Sequence, residues 1–358
     1  MLGVVVQDGK ITLADDLQVR PPRAHEVSVR VLASGICRSD LLPLTRPDPR
    51  PAVMGHEAAG IIQAMGPEVA GLSTGQLVAV SCQRPCRRCS ACARGRYSAC
   101  ASAFSQGEAP FTWRGQPVRS TARVSSLATE ITVDALQVHP VTGLEPAAAA
   151  LIGCAVSTGY GTVRNVARLA TGESAAVIGV GGIGLNSIQT ARLIGASRIV
   201  AVDVNPGKAA IARKFGADRF VRVQPGASAQ QLASQLREEA GGPVDAVIEC
   251  TGCTAVIAAA PSLLSPGGRL ALVGIPSGAA GVEFDVTAMM LSHITVAGAL
   301  NGACDPFVDI PAIVQLAGQG RLDLAGQVSH RWPLHQAADA IGALQAGDVL
   351  RVVVEMPG

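Results

Sequence analysis

The apolar positions of this chain change rhythm along its length. Up to about residue 150 they form short runs broken by glycine and proline. Several of these runs alternate with polar neighbours at a period of two, as in Val27-Ser-Val-Arg-Val-Leu32, and Gly60-Ile-Ile-Gln-Ala-Met65 and Gln76-Leu-Val-Ala-Val80 are similar. Such alternation turns one face of a strand to a core and the other to solvent, so a mainly β domain is expected here. Near Ser157 the character changes. Ser174-Ala-Ala-Val-Ile-Gly179, Arg198-Ile-Val-Ala-Val-Asp203, Asp245-Ala-Val-Ile-Glu249 and Arg269-Leu-Ala-Leu-Val-Gly274 are short runs suited to fully buried strands. Helix-like segments at 183–193, 208–215, 228–240 and 255–264 separate them. Strand and helix in alternation predict a parallel, doubly wound sheet, hence an α/β fold. From about Asn301 the pattern is mixed again, with one amphipathic stretch at 333–345.

The length of 358 residues predicts two domains. With 48% hydrophobic and 16% charged residues the chain lies far from the disordered class. The longest apolar run, around Ala147–Val156, falls short of the roughly 20 residues that a membrane span needs. No basic region precedes the apolar residues near Met1. The expectation is therefore a soluble, cytoplasmic chain without a membrane partner. A formal charge of +2 and an aromatic content of 3% argue against nucleic acid as a partner.

Three constellations carry chemistry. The first is Gly179-Val-Gly181-Gly182-Ile183-Gly184, which follows a predicted strand and opens a predicted helix. In that setting Gly179 permits a tight turn, Gly181 lets the backbone approach a pyrophosphate, and Gly184 lets the helix pack closely. The helix N-terminus adds N–H donors and the positive end of its dipole. Asp203 closes the next strand, about 20 residues on, where a carboxylate accepts from ribose hydroxyls and repels a 2′-phosphate. NAD is thus expected over NADP.

The second is Cys86-x-x-Cys89-x-x-Cys92-x7-Cys100. Four thiolates so close in sequence can surround one tetrahedral zinc with no open position, the pattern of a structural site. Nearby Arg84, Arg87, Arg88, Arg94 and Arg96 fit either a nucleic-acid-binding ribbon or compensation of a formally dianionic centre. The near-neutral remainder of the chain favours compensation. The third set is dispersed: Cys37, His56 and Cys154. Alone, each reads as a buried thiol or a satisfied histidine. Together, two thiolates and an imidazole would leave zinc a fourth position for water or substrate.

With these residues in view, the sequence resembles the zinc-dependent medium-chain alcohol dehydrogenases, in motif order and spacing, across nearly the whole chain. The resemblance implies a β-rich GroES-like catalytic domain at 1–156 and 301–358, with a structural zinc lobe at 82–100. A Rossmann coenzyme domain would occupy 157–300, with the active site in the cleft. It implies one catalytic and one structural Zn2+ per chain. Cys37, His56 and Cys154 would be the catalytic ligands. Asp40 resembles the carboxylate that orients the histidine, Glu57 an acidic neighbour able to approach the metal, and Ser39 the hydroxyl that bonds the substrate oxygen. Arg38 and Arg351 match pyrophosphate-binding arginines. Asn205 and Lys208 follow Asp203 as in the family's ribose site, and Thr158 and Val273 resemble positions lining the nicotinamide. The implied activity is hydride transfer between an alcohol and NAD, reversible to aldehyde or ketone reduction, with zinc as Lewis acid. A homodimer is implied, and Phe111-Thr-Trp-Arg-Gly-Gln-Pro117 resembles an insertion of dimeric members.

Several departures matter. Many members carry a histidine a few residues after the Ser/Thr, ending a proton relay; here Ser39-Asp-Leu41-Leu42-Pro-Leu has none before His56. The glutathione-dependent formaldehyde dehydrogenases carry a basic residue soon after the fourth lobe cysteine and favour His-Thr where this chain has Arg38-Ser39. Here Cys100 is followed by Ala-Ser-Ala-Phe104, so that activity is not expected. Polyol dehydrogenases commonly place Glu at the third ligand, so Cys154 points away from sugars. Cys82, Ser105, Leu127, Ile275 and Leu300 fall near the family's substrate channel. Cys82, standing where an aromatic is common, implies a roomier, apolar pocket for a bulky primary or secondary alcohol. Cys250, Cys253 and Cys304 are expected to be small buried hydrophobes. Two other readings stand beside the leading one: an oxidoreductase or dismutase that keeps NAD tightly bound, and a medium-chain scaffold without catalysis.

Overall fold

The computed structural model describes every residue except 47, 105–107, 277, 279–280, 348 and 358. The chain divides into two compact units, Met1–Ser157 with Asp305–Gly358, and Thr158–Cys304.

Two β-sheets build most of the first unit. The larger runs in space Val138–Pro140, Leu77–Val80, Glu57–Met65, Glu26–Ile36, Val352–Glu355 and His330–Pro333, with Glu130–Asp134 also paired to Glu26–Ile36. The smaller runs Lys10–Ala14, Gly3–Gln7, Ala52–Val53, Gln116–Ser120, Phe111–Trp113 and Gln18–Val19. Strand Glu26–Ile36 is the hub. Val27, Val29 and Val31 point into the core as the alternation predicts. Its register against Glu57–Met65 then shifts between Val31 and Ala33. Beyond that irregularity Ala33, Ser34, Gly35 and Ile36 are all buried, because partners cover both faces. The C-terminal strand Val352–Glu355 lies antiparallel along Ala33–Ile36. The C-terminal strand therefore supports the backbone that leads into Cys37.

The second unit is a six-stranded sheet, parallel throughout: Arg219–Arg222, Arg198–Asp203, Ser174–Ile178, Val244–Glu249, Leu264–Leu272 and Thr295–Gly298. In chain order of these six strands this is 3-2-1-4-5-6, the Rossmann arrangement. Ser174–Ile178 is buried at all five positions, as a central strand covered on both faces must be. Helices Gly182–Ile194, Ala209–Lys214, Ala229–Glu239 and Thr254–Ala259 follow the strands where the periodicity places them. The fold is α/β, a β-rich GroES-like part with a Rossmann part.

One expectation fails. Cys304 is buried and Cys250 half-buried, but Cys253 is exposed. It caps the N-terminus of Thr254–Ala259, where the chain leaves a loop for a helix and the first turn meets solvent. Among the described residues no single helix is long and apolar enough to cross a membrane.

Candidate active site and metal centres

Gly35 faces Glu57 across the central strand pair, so the turn after one strand and the turn before the other lie side by side. Cys37 ends the first and opens the short helical turn Arg38–Leu41. Asp40 closes that turn: its Oδ2 accepts from the Cys37 N–H at 2.9 Å. Its Oδ1 lies 2.9 Å from His56 Nδ1. Asp40 is 1% exposed, so one enclosed carboxylate ties the cysteine's backbone to the histidine's ring. Donation from Nδ1 leaves Nε2 bare as a ligand atom. Gly55 precedes His56 at φ +88°, and a Cβ there would fall 2.4 Å from Ser126 Oγ. Only glycine meets both demands. Cys154 arrives from elsewhere, at the joint between the buried turn Leu151–Gly153 and helix Ala155–Gly161.

The ligand atoms of Cys37, His56, Glu57 and Cys154 all lie within 4.8 Å of one another. Contacts with Cys154 and then His56 hold the Cys37 thiol well below its ordinary pKa, against the effect of burial. Burial pushes the Glu57 carboxyl up to about 7, although the Arg351 guanidinium pulls the other way. Arg351 is itself buried, and its Nη2 donates to Glu57 Oε2. Glu57 Oε1 has no partner among the described residues. Two thiols, an imidazole nitrogen already oriented by a carboxylate, and an unpaired buried carboxylate oxygen around one point fit a borderline-soft divalent cation, zinc above all. Ser39 Oγ donates to Cys37 Sγ at 3.3 Å and lies 3.4 Å from His56 Nε2. Arg38 is exposed beside it.

The four-cysteine lobe is equally compact, with the sulfurs of Cys86, Cys89, Cys92 and Cys100 all within 4.8 Å of one another. Backbone N–H groups converge on these sulfurs. Cys86 N and Ser102 N each donate to Cys100 Sγ at 3.4 Å, and those of Arg88 and Cys89 hold the Cys86 thiol down at about 6. These donors favour the thiolate at Cys86 and Cys89, whereas burial and then the neighbouring sulfurs push the Cys92 thiol up to about 12, a crowding that a zinc ion held by all four would relieve. Two of the five arginines are otherwise engaged. Arg84 Nε donates to Asp134 at 2.6 Å, and Arg87 stacks 4.9 Å above the Phe307 ring.

In the second unit the glycine segment forms the loop between Ser174–Ile178 and helix Gly182–Ile194, which Ile183 helps to open. At Gly184 a Cβ would sit 1.9 Å from the Gly179 carbonyl oxygen, so the helix can pack here only without a side chain. Asp203 does more than the sequence reading assigned to it. Its Oδ2 accepts from Val180 N at 2.7 Å and from Lys208 Nζ at 3.1 Å, and its Oδ1 from Asn205 N at 2.9 Å. The carboxylate thus pins the glycine loop. Thr158 Oγ1 donates to Asn301 Oδ1 at 3.2 Å, and Val273 follows strand Leu264–Leu272. Sequence reasoning missed Glu249, a buried carboxylate at the end of its strand whose Oε1 accepts from Thr251 N at 2.7 Å and Gly252 N at 3.1 Å. The rule that sites gather at strand C-termini was the available signal. Of the proposed pocket residues, Cys82 and Leu127 are buried in the first unit, while Ile275 and Leu300 are 63% and 60% exposed in the second. Ser105 lies outside the described residues.

Comparison with known proteins agrees with this geometry. Residues 23–143 match the alcohol dehydrogenase GroES-like domain, and residues 182–318 match the zinc-binding dehydrogenase family. Alcohol dehydrogenase 2 of Zea mays is 30% identical over 370 residues, spanning 99% of this chain and 96% of its own. A probable S-(hydroxymethyl)glutathione dehydrogenase 1 of Schizosaccharomyces pombe is 30% identical over 355 residues, spanning 96% and 93%. The crystal structure of benzyl alcohol dehydrogenase from Acinetobacter calcoaceticus superposes with a TM-score of 0.88 at 27% identity, covering 99% of each chain. The fold and sites described above define a zinc-binding, Rossmann-type dehydrogenase. The chain belongs to the zinc-dependent medium-chain alcohol dehydrogenase family and is an oxidoreductase of that family.

Proposed function

We propose that this chain transfers a hydride between a bulky, apolar primary or secondary alcohol and NAD, and runs in reverse toward aldehyde or ketone reduction. The observation that carries the reading is the convergence of Cys37, His56, Glu57 and Cys154 within 4.8 Å. Cys37, His56 and Cys154 would hold a catalytic zinc, and Cys86, Cys89, Cys92 and Cys100 a structural one. Zinc at the first site supplies Lewis acidity that makes an alcohol oxygen easier to deprotonate. Asp40 fixes the tautomer and tilt of His56 through its 2.9 Å contact. Ser39, beside Cys37 and His56, takes up the proton of the substrate hydroxyl. Arg351 holds Glu57 at the edge of the ligand set, where the carboxylate can stand in when a ligand leaves.

In the second unit, Gly179–Gly184 offers backbone to the cofactor's phosphates, and Asp203 with Asn205 and Lys208 receives the adenosine ribose. By the family resemblance, Thr158 and Val273 are assigned to the nicotinamide and Arg38 and Arg351 to the pyrophosphate. The domains are proposed as 1–156 with 301–358 and 157–300. Cys100-Ala-Ser-Ala and Arg38-Ser39 separate this chain from a glutathione-dependent role, even though one relative bears that name. A homodimer is proposed through strand Thr295–Gly298, the outermost of its sheet. That edge is flanked by Leu300, Ile275, Met290, Leu291 and Val286, all at least 60% exposed. An open edge with an apolar border favours pairing with a second copy.

The test is NADH production over aliphatic, benzylic and terpenoid alcohols and S-(hydroxymethyl)glutathione, with zinc counted on the same sample. Turnover on an alcohol with about two zincs per chain supports the reading. Zinc confined to the four-cysteine lobe would overturn the assignment of Cys37, His56 and Cys154.

A further inference from the structure

A polar cavity lies in the first unit, built from residues that the dehydrogenase reading does not use. It is lined by Arg20, Glu26, Arg84, Arg123, Thr132 and Asp134 among others, and encloses about 80 Å³. Its acids are already matched. Arg20 grips Glu26 with two bonds of 2.6 and 2.8 Å, Arg23 grips Glu108 at 2.8 and 3.0 Å, and Arg84 holds Asp134 at 2.6 Å. Arg123 is the cation left over, with no hydrogen bond or ion pair among the described residues. Burial, and then repulsion from Arg84, weaken its hold on its proton. Arg20 Nε is a further enclosed donor without a partner.

The backbone presenting Arg123 is strained. Ala122, Arg123 and Ser125 all adopt left-handed φ values, +48°, +59° and +61°. None is glycine, and each such residue is strained there. Tethers hold the segment there. Thr121 Oγ1 donates to the Val53 carbonyl at 2.8 Å, Ser120 and Ser125 hydroxyls meet at 2.7 Å, and Val124 is buried in the core. Asp134 and Glu26 also face Arg123 and offset part of that repulsion, but each is already held by another arginine, so the half-buried guanidinium keeps no partner of its own.

We propose that this cavity binds a small oxyanion on Arg123 and the free Nε of Arg20, in a lining whose carboxylates, Glu26, Glu108 and Asp134, are each neutralised by an arginine. One water needs roughly 10–15 Å³ of such space, so about 80 Å³ leaves room for inorganic phosphate or a short carboxylate. Binding has a route to the candidate metal centre. The same segment continues into Ser126, whose Oγ accepts from Glu57 N at 3.2 Å, and Ser126 N donates to the Gly55 carbonyl at 3.1 Å.

The experiment is thermal unfolding of the full-length, zinc-loaded chain in rising phosphate or acetate, with sodium chloride holding ionic strength constant. A site filled to about 100 times its Kd should raise Tm by about 5 °C or more. The rise should saturate, whereas general salt effects do not. Arg123→Gln should abolish it. Ala122→Gly, which eases the backbone and keeps the guanidinium, should retain it and serves as the control for folding. Saturation by phosphate alone identifies a phosphate site, and by acetate alone a carboxylate site. No saturable rise in the wild type, or an equal rise in Arg123→Gln, overturns the proposal.

Discussion

His139 offers a test of how burial sets the pH range of this fold. It sits on strand Val138–Pro140 opposite Ala79, is 6% exposed, and its Nε2 has no partner among the described residues. Its nearest aromatic neighbour is Phe307, 6.4 Å between ring centres. Nothing there compensates a positive charge, and burial alone pulls its pKa from 6.5 to about 4. The folded-state value lies below the unfolded one, so the unfolded chain binds the extra proton first. Stability from this group is intact above pH 6.5 and is lost as pH falls from there toward 4. At 1.36 kcal/mol per unit the whole loss is about 3 kcal/mol.

The perturbation is His139→Leu, compared with the wild type by thermal melts at pH 7.5 and 5.5 in zinc-buffered solution. Between these values the linkage relation gives about 1.3 kcal/mol lost by the wild type alone. At roughly 2–4 °C per kcal/mol for a unit of this size, the two Tm values should diverge by about 3–5 °C. Carboxylates and zinc ligands titrate in both proteins and cancel in the difference. At pH 7.5 the leucine variant should match or exceed the wild type, since it removes an enclosed ring nitrogen that has no bond to lose. Parallel Tm curves over this range would refute the reasoning, because they would mean the ring finds a proton acceptor or water when charged.

Three further outcomes follow from the site. Asp40→Asn should weaken zinc at the Cys37/His56/Cys154 site by about 10–100-fold and leave the four-cysteine zinc unchanged, which a competitive chelator titration resolves into two steps. Turnover should climb more steeply with pH than in family members that carry the relay histidine, because Ser39 Oγ meets only Cys37 and His56 among the described residues and no histidine follows it before His56. A rate that stays flat between about pH 6 and 10 would show another proton exit. Asp203→Ser should weaken NAD binding by more than it gains for NADP, because the 2.7 Å bond to Val180 N is lost along with the proposed ribose acceptor. Fluorescence titration with both cofactors checks this, and a clean exchange of preference at undiminished affinity would count against the pinning role.

Much of this architecture was legible because it is local. Period-two alternation marked Glu26–Ile36, and short apolar runs marked the Rossmann strands, since each face's burial writes itself into successive residues. The four lobe cysteines and the glycine loop are likewise short-range patterns. What escaped depends on pairing across the chain. Arg351 reads as a cofactor arginine by resemblance, yet it lies buried against Glu57, 294 positions away. No local pattern reveals that the C-terminal strand lies along Ala33–Ile36. Two-residue strands such as Ala52–Val53 and Gln18–Val19 are too short to carry a period. The strained segment at Ala122–Ser125 is invisible for a different reason: nothing but tertiary tethers forces alanine, arginine and serine into a conformation that sequence reading reserves for glycine.

These two kinds of long-range contact bear on the same place. Cys37 is delivered by a strand whose neighbours are Glu57–Met65 on one side and Val352–Glu355 on the other. Ser126, at the end of the strained segment, bonds both Gly55 and Glu57. The Gly55–Glu57 backbone is thus held by two remote stretches, one of them braced in turn by the C-terminal strand, while Asp40 fixes the ring itself. A metal centre needs ligand atoms held to a fraction of an ångström, and a β-framework braced by the C-terminal strand supplies that rigidity before any ion arrives. Loss of the C-terminal strand should therefore cost zinc at the Cys37 site and spare the four-cysteine lobe, whose sulfurs come from one continuous segment between Cys86 and Cys100.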